Sequence, residues 1–236
     1  MSNGIFIKTI SPHIVEVLGG SGLDFAVIDA EHAPFDHRDI DLMLLAGRAA
    51  GLPLFVRVRN TGASEVQAAL DMGAAGVVVP RVDSVDIARQ VVSSARFIGG
   101  RRGFSGGTRL AGYGKLTMSA AIDAGDVAKV IVQIEHPDAL RDAAAILALD
   151  GVDGILIGRA DLALSMGFTA QCREVEEAVA AMLGNLDPAG KIVGVVVASG
   201  SERDTYRALG ANWFLVGTDH SLLRRGVNEL LDRVAA

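Results

Sequence analysis

The stretch GVDGILIG (151–158) decides how this chain is read: a glycine, a short spacer, then an unbroken apolar run closed by a breaker. The same phrase recurs as GLDFAVID (22–29), GAAGVVVP (73–80) and GANWFLVG (210–217), each time after a stretch of helical character. A helix that stops on a C-cap glycine and hands over to a strand buried on both faces gives this pattern, because such a strand has no solvent face to alternate with. Four less regular runs, GIFIKT (4–9), LPLFVRV (52–58), KVIVQIE (129–135) and KIVGVVVA (191–198), bring the strands to eight. Between them, apolar and alanine-rich spacing predicts helices over 11–19, 36–50, 63–72, 84–95, 137–148, 173–187, 200–209 and 219–234. Eight strands alternating with eight helices predict α/β architecture, a single (β/α)8 TIM-barrel domain over 1–236, with an open doubly wound sheet as the alternative.

Segment 97–127 interrupts the rhythm. Its GGRRGFSGGTRLAGYG is too glycine-rich for either regular element and matches neither GxGxxG after a strand nor GxxxxGK[ST]. It reads as a lid or rim loop whose Arg101, Arg102 and Arg109 meet anions or a neighbouring subunit.

The net charge of −6 comes with Lys and Arg scattered along the chain and never in a run, which argues against nucleic acid or anionic membrane as a partner. No apolar stretch approaches the roughly 18 residues of a membrane span, and MSNGIFIKT lacks the layout of a secretion signal, so a cytoplasmic location is expected. Cys172 is the only cysteine, which excludes an intrachain disulfide and a cysteine-rich zinc site.

Barrel enzymes carry their reacting groups at the C-terminal ends of the strands. The polar residues there are Asp29, Glu31 and His32 after strand two, Arg57 in strand three, Gln133 and Glu135 in strand five, Asp161 after strand six and Asp219 after strand eight. Glu135 and Asp161 come from neighbouring strands and could converge on one hard cation, with water and substrate oxygens completing an octahedron. Each could instead cap the helix that follows it. His32, in a loop before Pro34, could move protons near neutral pH or serve as polar surface. His13, His37, His136 and His220 read as surface. Arg57 would aim its fork of donors into the mouth or at a nearby carboxylate. Lys8 and Lys129 fall within strand one or near strand starts, so no lysine is expected at the mouth and a Schiff-base mechanism is disfavoured.

DAEHAPFD (29–36), VRV (56–58), ALDMGAAGVVVPRVDS (69–84), GRRGFS (100–105), VQIE (132–135), VDGILIGRADLALSMG (152–167) and VGTDHSLL (216–223) span nearly the whole chain in order. Together they resemble the HpcH/HpaI family of class II pyruvate aldolases. The resemblance implies a TIM barrel assembled as a hexamer, a trimer of dimers, with the last helix packed on a neighbouring subunit. It makes Glu135 and Asp161 the ligands of a divalent cation, Mg2+ or Mn2+ with Co2+ or Zn2+ as alternatives. Arg57 would polarise a keto oxygen, and His32 would belong to the acid/base machinery. A carboxylate matching Asp71 would pair with the histidine; since Asp71 ends a helix at the far end of its own barrel, a neighbouring chain must supply it. Expected substrate contacts are Gln133, Gly158, Arg159, Ala160 and Asp161, the last four at a helix start that would meet a carboxylate. The implied reaction cleaves or forms 4-hydroxy-2-oxo acids from a 2-oxo acid and an aldehyde.

This sequence departs from the family pattern at Arg159, where GPxDLS is usual, and at Ile98–Gly99, where a proline pair is frequent. Those changes bear on the second-substrate pocket. Rival readings are a related lyase or synthase on the same site, such as an oxaloacetate decarboxylase, a citrate-forming enzyme or an acyl-CoA lyase, and a non-catalytic metabolite-binding barrel.

Overall fold

The computed structural model describes residues 1–170 and 172–235. Its strands are β1 (Ser2–Ile7), β2 (Phe25–Asp29), β3 (Leu54–Arg57), β4 (Gly76–Val79), β5 (Lys129–Ile134), β6 (Gly154–Ile157), β7 (Ile192–Val196) and β8 (Trp213–Thr218). All are parallel, each pairs with the next, and β8 pairs back onto β1, so the sheet is a closed barrel. The helices are α1 (Pro12–Gly19), α2 (His37–Ala50), α3 (Ala63–Asp71), α4 (Val85–Ala95), α5 (Met118–Asp126), α6 (Pro137–Ala148), α7 (Arg159–Ser165), α8 (Arg173–Gly184), α9 (Gly200–Ala208) and α10 (Asp219–Ala235), with a 3-10 turn at Gly112–Gly114. The predicted fold holds, and the open-sheet alternative is excluded. Among the described residues no helix is long and apolar enough to cross a membrane.

Local chemistry explains the element ends. Asp36 and Asp39 form a reciprocal capping box at the start of α2, and Gly51 closes that helix in the left-handed conformation at φ 66°. Ser84 caps α4 and His136 accepts from Asp138 N–H at the start of α6.

Side chains alternate across each strand, and the inward series carries the barrel from apolar floor to charged mouth. Phe25, Val27 and Asp29 follow one another in β2, Phe55 and Arg57 in β3, and Ile131, Gln133 and Glu135 along and just past β5. The floor is an aromatic plug. Phe25 and Trp213 stack with centroids 3.9 Å apart, and Phe55 meets both edge-on at 5.8 and 5.5 Å. Glycines make the room: a Cβ at Gly4 would lie 2.3 Å from the Phe25 ring, and one at Gly194 2.9 Å from Trp213. Outside the strands a second, larger core fills the space between barrel and helices.

Three expectations need correction. Segment 97–127 contains the helix α5, capped by Thr117. It is not a lid over the mouth, because it joins the end of α4 to the start of β5 and so lies at the opposite end of the barrel. Two of its arginines are spent internally: Arg102 is buried over Phe97 and pairs with Asp71 at 2.6 Å, and Arg109 pairs with Asp41 at 2.8 Å and donates to Met72 O. Finally, β1 ends at Ile7, so Lys8 is the first residue past its C-terminal end and belongs to the mouth.

Truncating the plug should cost what emptying a packed aromatic site costs. Trp213→Ala is expected to lose about 3–5 kcal/mol and lower the melting temperature by on the order of 10 °C. Calorimetry showing a shift under about 2 °C would contradict the floor's role.

Candidate active site

The mouth is organised by Asp29, which is fully buried. Arg57 Nε donates to Oδ1 at 2.9 Å and its Nη2 makes an ion pair with Oδ2 at 2.8 Å, while Lys8 Nζ lies 3.0 Å from Oδ2 and His32 N–H donates to Oδ1. Burial by itself would raise the Asp29 carboxyl, but the hydrogen bond and charge of Arg57, helped by Lys8 and the His32 N–H, outweigh it and hold the group below the usual carboxylate range. One edge of the Arg57 fork is therefore committed. The remaining Nη1 faces Gln133 Oε1 at 3.5 Å and borders the main cleft. Lys8, contrary to expectation a mouth lysine, is held in its ion pair with Asp29 and does not line that cleft.

Glu135 is buried just past β5. Its Oε1 accepts the Arg81 backbone N–H at 2.7 Å, and its Oε2 accepts from the Gln133 side chain. Arg81 presents that N–H from a left-handed backbone, φ 56°, rare for a residue with a side chain. Gly158 lies so close that a Cβ there would sit 2.9 Å from Glu135 Oε2. Glu135, Asp161, Glu31, His32 and Arg81 border one pocket of about 260 Å3. Burial pushes the Glu135 carboxyl above the usual range, and the charges of Glu31 and Asp161 push the same way. Burial likewise raises Glu31, against Arg57 and Arg81 and with Asp29 and Asp161.

His32 and Asp161 border both this pocket and the adjoining cleft of about 820 Å3, which also takes in Arg57, Gln133 and residues 158–160. His32 Nε2 lies 3.7 Å from Glu31 Oε2, with nearly half of its side chain exposed. Of the sequence-predicted site residues, Glu135, Asp161, Arg57, His32, Gln133, Gly158 and Ala160 thus gather at one mouth. Arg159 borders the cleft, but its guanidinium turns into a network with Glu176, Glu202 and Tyr206. Asp71 is paired with Arg102 at the barrel's opposite end and does not meet His32 of its own chain. Asp29 and Glu31 are among the polar residues that the sequence puts at the strand ends, with no role assigned to them there, and Lys8 was not expected at the mouth.

The donor set suits a divalent cation. With Asp29 neutralised by Arg57 and Lys8, the pocket is lined by four further carboxylates, Glu31, Asp83, Glu135 and Asp161, against an exposed Arg81. Burial resists ionisation of Glu31 and Glu135, a penalty that a cation relieves. Among the described residues no group of three or more His, Cys, Asp or Glu side chains is placed to hold a metal ion by itself. Two carboxylates with positions left for water and substrate are how Mg2+ is commonly held.

The sequence pattern of the HpcH/HpaI aldolase/citrate lyase family matches residues 2–226. A 4-hydroxy-2-oxo-heptane-1,7-dioate aldolase of Salmonella dublin is 33% identical, covering 99% of this chain and 90% of that protein. Among solved structures, an HpcH/HpaI aldolase/citrate lyase family protein from Burkholderia cenocepacia J2315 superposes with TM-score 0.93 at 32% identity, covering 100% of this chain and 95% of that one. Citrate synthase SbnG superposes with TM-score 0.88 at 26% identity, covering 99% of this chain and 93% of that one. The chain belongs to the HpcH/HpaI aldolase/citrate lyase family and is a carbon–carbon lyase.

Proposed function

We propose that this enzyme is a metal-dependent class II aldolase that cleaves or forms 4-hydroxy-2-oxo acids. The observation that carries the reading is the carboxylate-lined pocket shared by Glu135 and Asp161, beside the Arg57 Nη1 that reaches Gln133 at the adjoining cleft. Glu135 and Asp161 would hold Mg2+ or Mn2+, with Co2+ or Zn2+ as alternatives, and the bound cation would supply Lewis acidity to a substrate's keto oxygen. The 2-oxo acid would lie between Gln133 and the turn Gly158–Asp161. The N–H groups of Arg159, Ala160 and Asp161, which a helix start leaves without intrahelical partners, would face its carboxylate.

In cleavage, a base involving His32 takes the C4 hydroxyl proton. The C3–C4 bond breaks, its electron pair moves into an enolate, and the C4 carbon leaves as an aldehyde. Arg57 Nη1 donates to the oxygen where negative charge grows, and Asp29 keeps the guanidinium from swinging away. Protonation at C3 then gives pyruvate. Similarity to SbnG supports a second reading, in which the same site adds the enolate of an acetyl thioester to the keto carbon of oxaloacetate, and hydrolysis of the thioester gives citrate. Product analysis with pyruvate and aldehydes, and with oxaloacetate, separates the two.

Asp71 would reach this chemistry only from a neighbouring subunit, so the reading includes a homo-oligomer, a hexamer built as a trimer of dimers. The exposed Leu223, Val227, Leu230, Leu231 and Val234 of α10 support the packing of that helix on another subunit.

Glu135→Gln and Asp161→Asn are each expected to abolish metal-dependent pyruvate release, as a chelator does in the wild type; full activity after exhaustive chelation would falsify the metal mechanism. Because the folded protein holds Glu135 above its unfolded value, ionisation there lowers stability as pH rises from the ordinary carboxylate range through the raised value. Metal-free Glu135→Gln should therefore melt higher than metal-free wild type at pH 7, and that gain should vanish in acid. For Arg57→Lys, kcat should drop about a hundredfold, since an ammonium cannot grip Asp29 with one edge and donate with the other. An unchanged kcat removes Arg57 from the role. Leu230→Lys with Leu231→Lys should dissociate the assembly in analytical ultracentrifugation and remove activity with it; fully active monomers would defeat the shared-site reading.

A further inference from the structure

The helix α7 that carries Asp161 is poorly secured by its own sequence. It has seven residues, and the residue before it, Gly158, offers no side-chain cap. Isolated helices this short are unstable, so the register of its first turn must come from tertiary contacts. Leu162 and Ala163 bury one side of α7. Ser165 Oγ donates to Glu135 O at 3.3 Å from the last turn, and in the first turn the side-chain restraint comes from Arg159, two residues before Asp161, whose side chain is 7% exposed.

The Arg159 guanidinium reaches three other elements. Nη1 donates to Glu176 Oε1 of α8 at 2.9 Å and to Tyr206 Oη of α9 at 3.1 Å. Nη2 donates to the carbonyl of Val196, the last residue of β7, at 2.7 Å, and pairs with Glu202 Oε1 of α9. The Tyr206 ring lies under the guanidinium, 5.0 Å from its carbon, and Tyr206 Oη donates in turn to Glu176. The second oxygen of Glu202 takes the Ala198 N–H at 2.6 Å, fixing the loop after β7. A planar fork meeting several partners at once restrains orientation in a way that a single contact does not.

We propose that Arg159 is a positioning residue for the metal centre: tied to Val196, Glu176, Tyr206 and Glu202, it fixes the first turn of α7 so that Asp161 faces Glu135. The proposal rests on the reading of Glu135 and Asp161 as metal ligands and adds the means by which one of them is aimed. Arg159 touches neither cation nor reacting atoms. Its effect is on how ready the ligand pair is before the cation arrives, so it should appear in metal affinity more than in turnover at saturating metal.

The test uses full-length protein and Mn2+ alone, titrated by electron paramagnetic resonance, beside kcat at saturating Mn2+. Arg159→Met, Arg159→Lys and Tyr206→Phe are compared with wild type and Glu135→Gln. Loss of a residue that orients a ligand typically weakens metal affinity about tenfold to hundredfold. Arg159→Met is expected to fall in that range and Tyr206→Phe near its lower end, with Arg159→Lys intermediate and kcat at saturating Mn2+ within about threefold of wild type for Tyr206→Phe. Should Arg159→Met fail to fold, Tyr206→Phe, which keeps the ring and loses only the hydroxyl, carries the test. Wild-type affinity in both Tyr206→Phe and Arg159→Lys, with Glu135→Gln binding no Mn2+, overturns the positioning role and leaves the metal site standing. Equal Mn2+ binding by wild type and Glu135→Gln instead removes the ligand assignment, and this proposal with it.

Discussion

A carboxylate at the centre of a closed barrel cannot turn toward bulk water, and the arrangement at this mouth follows from how Asp29 is compensated. Two cations meet it, and one of them, Arg57, does so with an edge of its fork. That grip orients the guanidinium, leaves one donor toward Gln133, and frees the remaining acidic groups to be a surplus of negative charge. Were Asp29 uncompensated it would take up a proton, Arg57 would lose its anchor, and the pocket would lose the electrostatic contrast on which its chemistry depends.

Glu135 and Asp161 reach that pocket by different routes. Glu135 is held by its immediate surroundings, between a backbone donor and a glutamine two residues earlier on the same strand face. Asp161 sits on a short helix whose Arg159 reaches out to α8, α9 and the end of β7, and whose Ser165 donates to the Glu135 carbonyl. Gly158 connects the two, because its missing Cβ lets the turn before α7 come up against the Glu135 side chain. The pocket is thus specified by one element's side chains and another's backbone.

Much of this is legible in the sequence, for a physical reason. Strands covered on both faces appear as unbroken apolar runs after a glycine, so all eight could be found, and residues ending those runs had to be polar for a purpose. What escaped depended on endpoints or on directions. Reading GIFIKT as strand through residue 9 hid Lys8 from the mouth, whereas pairing stops at Ile7. The helix α5 went unread because it follows a glycine-rich stretch and itself contains Gly125, though Thr117 was available as its cap. Arg159 looked like a substrate contact because it adjoins Asp161, but adjacency along a helix does not say which way a long side chain turns. The place of Glu31 among the acidic groups depends on the fold of the loop after β2, which the motif DAEH marks but does not describe.

The left-handed residue at position 81 has an evolutionary consequence. What it offers Glu135 is main-chain hydrogen, which nearly any amino acid possesses, while its own guanidinium is largely in solvent. Drift at that codon can therefore alter the charge at the rim without touching the acidic pair. Proline alone would take the hydrogen away, and glycine would keep it with less strain. A lineage could in this way retune what approaches the opening while inheriting the chemistry beneath it unchanged.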